Sequence, residues 1–76
     1  MRELIRHIAL ALVDNREAVE VREVEGDDGL VLELHVAASD LGKVIGRQGR
    51  TARAMRALLR AARPDMGKRL SLEIME

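Results

Sequence analysis

Glycines and cations occur together in one short stretch of the chain, and together they could bind an anion. Residues 42–50 read GKVIGRQGR, so that Gly46 and Gly49 are separated by one arginine and one glutamine. Glycine has no Cβ, and a ligand atom can therefore approach its backbone closely. The cations in and beside this stretch are Lys43, Arg47, Arg50 and Arg53. The pattern predicts a phosphate-binding surface.

Two well-known nucleotide-binding loops do not match this stretch. A P-loop requires Gly-Lys followed by Ser or Thr, whereas Gly49 precedes Arg50. A dinucleotide-binding loop requires two glycines one residue apart directly after a strand, and the stretch has no such pair. We therefore exclude a nucleotide-hydrolysing loop and expect the anion to belong to a polymer backbone.

The charges are separated along the chain. Residues 1–40 contain four basic and ten acidic side chains, a net charge of −6, and residues 41–76 contain nine basic and three acidic ones, a net charge of +6. The formal net charge of zero therefore conceals a basic half that attracts anions.

Composition excludes several kinds of chemistry. The chain has 76 residues, which predicts a single domain over residues 1–76. It has no cysteine, which excludes disulfides and thiolate nucleophiles, and two isolated histidines do not make a zinc site. We expect neither a metal nor another cofactor. Without Phe, Tyr or Trp, bases cannot stack on aromatic rings.

The chain has no segment typical of a membrane or export signal. The longest uncharged apolar run is Ile8 to Val13, far shorter than the roughly 20 residues needed to span a bilayer. Glu3 is also unfavourable in an export signal. We expect a cytoplasmic protein.

Apolar periodicity predicts the elements before the glycine-rich stretch. Spacings of three and four residues predict a helix over 2–13, with Leu4, Ile5, Ile8, Ala11 and Leu12 on its apolar face. A strand follows over 18–25, where the valine alternation slips by one residue and suggests a bulge. Residues 26–29 form a turn, and strict alternation predicts a strand over 30–36.

The elements around and after the stretch are two helices and a strand. Ser39 and Asp40 favour an N-cap for a short helix over 40–45, and a longer helix runs from 50 to 63, closed by Pro64. Met55, Leu58, Leu59 and Ala62 gather on one side of it, and arginines gather on the other. A strand over 70–75 ends the chain. The fold class is α+β, in the order α-β-β-α-α-β, with a three-stranded sheet packed on helices.

These features together resemble a KH domain. Its hallmark is an aliphatic residue followed by Gly-x-x-Gly between two helices, and VIGRQGR at 44–50 matches it. The element order resembles the type II form over essentially the whole chain. The size and the segment GKVIGRQGRTARAMR at 42–56 are similar to the small stand-alone KhpA family of bacterial RNA-binding proteins.

The resemblance implies roles for individual residues. Gly46, Arg47, Gln48 and Gly49 would contact the sugar-phosphate backbone of about four nucleotides of single-stranded RNA. Val44 and Ile45, with part of the second strand, would line a groove under the bases. Because aromatic side chains are lacking, we expect modest affinity and loose sequence preference.

The resemblance also implies partners and a cellular role. Members of this family are thought to act as homodimers or with a second KH protein of the KhpB or Jag type. The implied roles are post-transcriptional regulation or RNA chaperoning linked to cell elongation and division. No nucleophile, base and orienting group occur together in the sequence, so we expect neither an enzyme nor a small-molecule substrate.

Two alternatives stay open at this point. A structural module used for dimerisation or docking would tolerate loss of Arg47 and Gln48. A single-stranded DNA binder is also compatible with the sequence, because no residue visibly recognises a 2′-hydroxyl.

Overall fold

A computed structural model describes residues 2–27, 29–62 and 69–76. It contains three α-helices and a three-stranded sheet in the predicted order α-β-β-α-α-β. The elements are α1 (Arg2–Leu12), β1 (Glu20–Glu25), β2 (Gly29–His35), α2 (Leu41–Ile45), α3 (Arg50–Ala62) and β3 (Arg69–Met75). Short 3₁₀ turns at Arg16–Ala18, Ala38–Asp40 and Arg47–Gly49 precede β1, α2 and α3. The predicted end of α3 at Pro64 lies outside the described residues.

The sheet has the strand order β1-β2-β3, with β1 antiparallel and β3 parallel to β2. The hairpin between β1 and β2 is closed by the Gly26 N–H, which donates to the Gly29 carbonyl at 2.7 Å. The parallel pair requires a crossover, and α2, the glycine loop and α3 lie within that crossover. Chain topology therefore places both helices against the sheet.

The bulge suggested for the first strand is wrong. Residues 20–25 pair with 35–30 in an unbroken register. Val24 lies opposite Val31 on the outer face of the sheet and is 41% exposed. The slip in the valine pattern therefore reflects an apolar cross-strand pair on the outer face.

One aliphatic core joins the helices to the inner face of the sheet. Its buried members are Ile5, Ala9, Val13, Val21, Leu32, Leu34, Val36, Val44, Met55, Leu59 and Leu72. The apolar faces predicted for α1 and α3 were partly wrong, because Leu4, Leu12 and Leu58 are exposed, whereas Ala9 and Val13, which the prediction left out, are buried. Helix α1 contributes Ile5 and Ala9, and Val13 directly after the helix continues the same spacing of four, because only one narrow stripe of a helix can contact a sheet.

Candidate nucleic-acid interface

The loop between α2 and α3 begins and ends on a glycine with positive φ. Gly46 ends α2, donating its N–H to the Gly42 carbonyl at 2.9 Å, and has φ +77°. Gly49 has φ +74°, and its N–H donates to the Gly46 carbonyl at 3.0 Å. These two left-handed residues turn the chain tightly from one helix into the next.

Gly46 is also confined by its surroundings. A Cβ added there would lie 2.8 Å from both the backbone N and the Cβ of Thr51, which is inside contact distance. The first turn of α3 therefore packs directly on the Gly46 backbone. The glycine is required by this packing as well as by its φ angle.

Gln48 is left-handed too, with φ 57° and ψ 24°, which is uncommon for a residue with a side chain. Its side chain is exposed, and its Oε1 accepts a hydrogen bond from Arg50 Nη2 at 3.2 Å. Gln48 and Arg50 therefore lie together beside the N-terminus of α3.

Arg53 is turned back onto the loop. Its Nη2 donates to the Gln48 carbonyl, and its Nε donates to the Gly49 carbonyl at 3.4 Å. The guanidinium thus contacts two consecutive backbone oxygens of the loop. The sequence placed Arg53 near the loop but did not indicate these acceptors.

Arg47 is exposed at the tip of the loop. Within residues 2–27, 29–62 and 69–76, its guanidinium forms no hydrogen bond or ion pair. The backbone N–H groups of Arg47 and Gln48 also lack acceptors there. The loop tip therefore presents a cation and two amide donors.

Lys43 lies between two carboxylates. Its Nζ donates to Asp14 Oδ2 and, at 3.2 Å, to Asp40 Oδ1. The Asp14 carboxylate, and then that of Asp40, raises the pKa of Lys43 above its ordinary value of 10.5. Lys43 thus joins α2 to the residues that follow α1.

Asp40 is the buried charged residue of this junction, with 1% of its surface exposed. Asp40 occupies the N-cap position of α2, as predicted, but its side chain forms no capping bond to that helix. Its carboxylate oxygens instead accept hydrogen bonds from the N–H groups of Asp14 and Asn15, at 3.2 and 3.0 Å. The hydrogen bond from the Asn15 N–H is the main cause that lowers the pKa of the Asp40 carboxyl. The Asp14 N–H and Lys43 lower this pKa further, whereas burial raises it, and the net shift is downward.

Val44 and Ile45 differ in their exposure to solvent. Val44 is fully buried in the core, whereas Ile45 is 38% exposed beside the loop. Of the inward-facing residues of β2, Leu32 and Leu34 are likewise fully buried. The accessible aliphatic surface next to the loop therefore includes Ile45, while Val44 holds α2 in place from beneath.

The other arginines of α3 have different surroundings. Arg56 donates from Nε and Nη2 to the Leu72 carbonyl at 3.4 and 3.3 Å, which links α3 to β3. Arg60 is exposed near the end of the helix. Arg63 lies outside the described residues.

The fold and the loop define a class. A βαα crossover with Gly-x-x-Gly between its two helices, in an α-β-β-α-α-β chain whose third strand runs parallel to the second, is a KH domain of type II.

The family follows from the sequence matches. The model of the "KhpA/KhpB, KH domain" family matches residues 2–74, and the chain belongs to that family. It is 53% identical over 74 residues to the RNA-binding protein KhpA of Caldanaerobacter subterraneus subsp. tengcongensis, covering 97% of this chain and 99% of the relative. The RNA-binding protein KhpA of Aquifex aeolicus is 47% identical over 76 residues, covering 100% of this chain and 96% of the relative.

A third relative, the RNA-binding protein KhpA of Clostridium acetobutylicum, is 47% identical over 74 residues, covering 97% of this chain and 99% of the relative. No solved structure matches the chain at a significant level.

In the part of the chain that the structure describes, no helix combines the length and the apolar character that crossing a membrane requires.

Proposed function

We propose that the protein binds about four nucleotides of single-stranded RNA through the loop at 46–49. The observation that carries this proposal is the loop tip, where the exposed Arg47 side chain and two amide donors lie between Gly46 and Gly49. The relatives that are named RNA-binding proteins support RNA as the ligand.

Phosphate recognition rests on charge and on donors. Arg47 lies at the tip of the loop and Arg50 directly after it, and α3 begins at Arg50 with the positive end of its dipole towards the loop. A phosphate at this point gains charge-assisted hydrogen bonds from guanidinium groups and ordinary ones from backbone amides. Lys43 and Arg53 contribute positive potential, although their N–H groups already donate hydrogen bonds to oxygens of the protein.

Base contacts are expected to be weak. Ile45 offers exposed aliphatic surface beside the loop, and the chain has no aromatic side chain on which a base could stack. Phosphate contacts carry little sequence information. Loose sequence preference and modest affinity for a single copy follow.

Pairing of two such sites is part of the proposal. A homodimer, or a complex with a KhpB- or Jag-type KH protein, would raise affinity for longer RNA through effective concentration. We place this activity in the cytoplasm, as post-transcriptional regulation or RNA chaperoning linked to cell elongation and division, without catalysis.

The decisive variant replaces Arg47 and Gln48 with aspartate. Asp is tolerated at left-handed φ, so the loop should keep its shape while two negative charges face the phosphate path. We expect binding of a five-nucleotide RNA, measured by fluorescence anisotropy, to fall more than tenfold with little change in melting temperature.

A control with the same charge change is available on α3. Arg60→Asp with Ala61→Asp also lowers the net charge by three, at two exposed positions. Arg60 lies about 15 Å along the helix from the loop, beyond the Debye length of about 8 Å at physiological salt. This variant should bind the short RNA within twofold of the wild type. Equal losses in both variants, or normal binding by the folded loop variant, would refute the proposed site.

The choice between RNA and DNA is tested separately. RNA and DNA pentamers of the same sequence are competed against one labelled RNA. Stronger competition by DNA would replace RNA with DNA in this proposal and leave the site unchanged.

A further inference from the structure

The backbone carbonyls of the loop all accept hydrogen bonds, and the Arg53 side chain contacts two of them. The Gly46 carbonyl accepts the Gly49 N–H at 3.0 Å, and the Arg47 carbonyl accepts the Arg50 N–H. The next two carbonyls, of Gln48 and Gly49, accept hydrogen bonds from Arg53.

Of the four backbone N–H groups at residues 47–50, two are bonded inside the turn and two have no acceptor within the described residues. The Gly49 and Arg50 N–H groups are used inside the turn. The N–H groups of Arg47 and Gln48 have no acceptor within the described residues. The exposed backbone of the tip therefore offers donors, which suits an anion, and its acceptors are covered.

Arg53 can maintain this arrangement because of the shape of its side chain. Two different nitrogens, Nη2 and Nε, contact two different oxygens in the fixed geometry of a planar guanidinium, which the single nitrogen of a flexible lysine side chain does not reproduce. One of these oxygens belongs to Gln48, whose left-handed conformation is rare for a residue with a side chain.

We propose that Arg53 is a positioning residue, which fixes the loop with its amides outward and its carbonyls covered, rather than a direct phosphate ligand. This proposal rests on the proposed function for its effect on binding. Its effect on the shape of the loop does not depend on any ligand.

The first test compares Arg53→Lys with Arg53→Ala for binding of the five-nucleotide RNA at several salt concentrations. We expect both variants to bind about tenfold more weakly, because Arg53→Ala loses both charged hydrogen bonds to the loop and Arg53→Lys does not reproduce the planar two-nitrogen contact. We expect Arg53→Lys to keep the wild-type dependence on salt, and Arg53→Ala to change the salt slope by much less than about 0.7, the value for one phosphate contact. Near wild-type binding by Arg53→Lys, or a salt slope reduced by about 0.7 in Arg53→Ala, would instead identify a phosphate ligand and overturn the proposal.

The second test uses the protein without RNA. Backbone chemical shifts of Gln48 and Gly49, which report φ and ψ, should move in both Arg53 variants. They should stay unchanged in Arg60→Lys and Arg60→Ala, which make the same replacements at an exposed arginine further along α3. Unchanged loop shifts in the Arg53 variants would overturn the positioning role even if the wild type bound no RNA. Moved shifts together with absent RNA binding would refute the proposed function alone.

Discussion

Gly42 and Gly46 lie four residues apart at the two ends of one turn of helix, and only Gly46 needs to be glycine. Gly42 is exposed inside α2, and a Cβ there would meet nothing within 4 Å. At Gly46 the φ angle is +77° and Thr51 occupies the space that a Cβ would need. The same residue type therefore has opposite energetic consequences at the two positions.

Gly46→Ala should lower the free energy of unfolding by about 2 kcal/mol or more, from backbone strain and the clash with Thr51. Gly42→Ala should raise it by about 0.5 to 1 kcal/mol, because alanine restricts the unfolded chain and favours helix. Gly49→Ala, with φ +74° but no close neighbour, should cost about 1 kcal/mol. Urea titrations followed by circular dichroism measure all three. A stable Gly46→Ala protein would contradict the packing of Thr51 on the loop.

At the scale of elements, α2 is too short to be stable by itself. It has five residues, fewer than an isolated helix needs, so tertiary contacts must hold it. Val44 attaches it to the core, and Asp40 and Lys43 attach it to the residues after α1. Because α2 leads directly into Gly46, these contacts also set the position of the loop.

Asp40→Asn should destabilise the fold, since a neutral amide pairs more weakly with Lys43 and would turn an NH₂ group towards backbone N–H donors. The effect should depend on pH. The pKa of Asp40 is lower in the folded chain than its ordinary value of 3.8, so ionised Asp40 stabilises the fold above that pH. This contribution is lost as the pH falls below 3.8 through the folded pKa.

The stability difference between wild type and Asp40→Asn should therefore be constant near neutral pH and shrink below about pH 4. Chemical denaturation at a series of pH values measures it. Ser39→Ala, at an exposed neighbour, is the control and should show no such dependence. A difference that persists unchanged at pH 2.5 would contradict the role of the Asp40 charge.

At the scale of the whole molecule, the two halves of the chain carry opposite net charges of equal size, −6 and +6. The acidic half includes the β1 hairpin, and the basic half includes the loop and α3. Several of these cations are already paired within the protein, namely Lys43 with two carboxylates and Arg53 and Arg56 with backbone oxygens. The number of phosphates that the molecule neutralises should therefore be smaller than its number of basic residues.

For a five-nucleotide RNA we expect log K to fall with log salt at a slope of about −1.4, which corresponds to two phosphate contacts, by Arg47 and Arg50, at about −0.7 each. Binding isotherms between low and physiological salt give this slope. A slope near −2.8 would mean that Lys43 and Arg53 leave their protein acceptors to contact phosphates. A slope near zero would contradict electrostatic binding altogether.

The sequence was sufficient for features that arise from local chemistry. The element order, the turn at 26–29 and the loop at 46–49 follow from periodicity and from glycine placement, which act over a few residues. Boundaries were right to within one residue for α1, β2 and β3, where apolar patterns are regular. The KH resemblance came from the same local pattern.

Other features depend on contacts between residues distant in sequence. The residues next to Asp40 in the sequence favoured a side-chain helix cap. Its carboxylate oxygens instead accept hydrogen bonds from N–H groups 25 and 26 residues away. Lys43 looked like a free cation beside the loop, yet it pairs with Asp14, 29 residues away. Val44 and Ile45 are adjacent, equally apolar residues, and only the packing of α2 on the sheet buries one and exposes the other. Periodicity cannot predict such pairings, because the partner of a side chain depends on which distant residues the fold brings within contact distance.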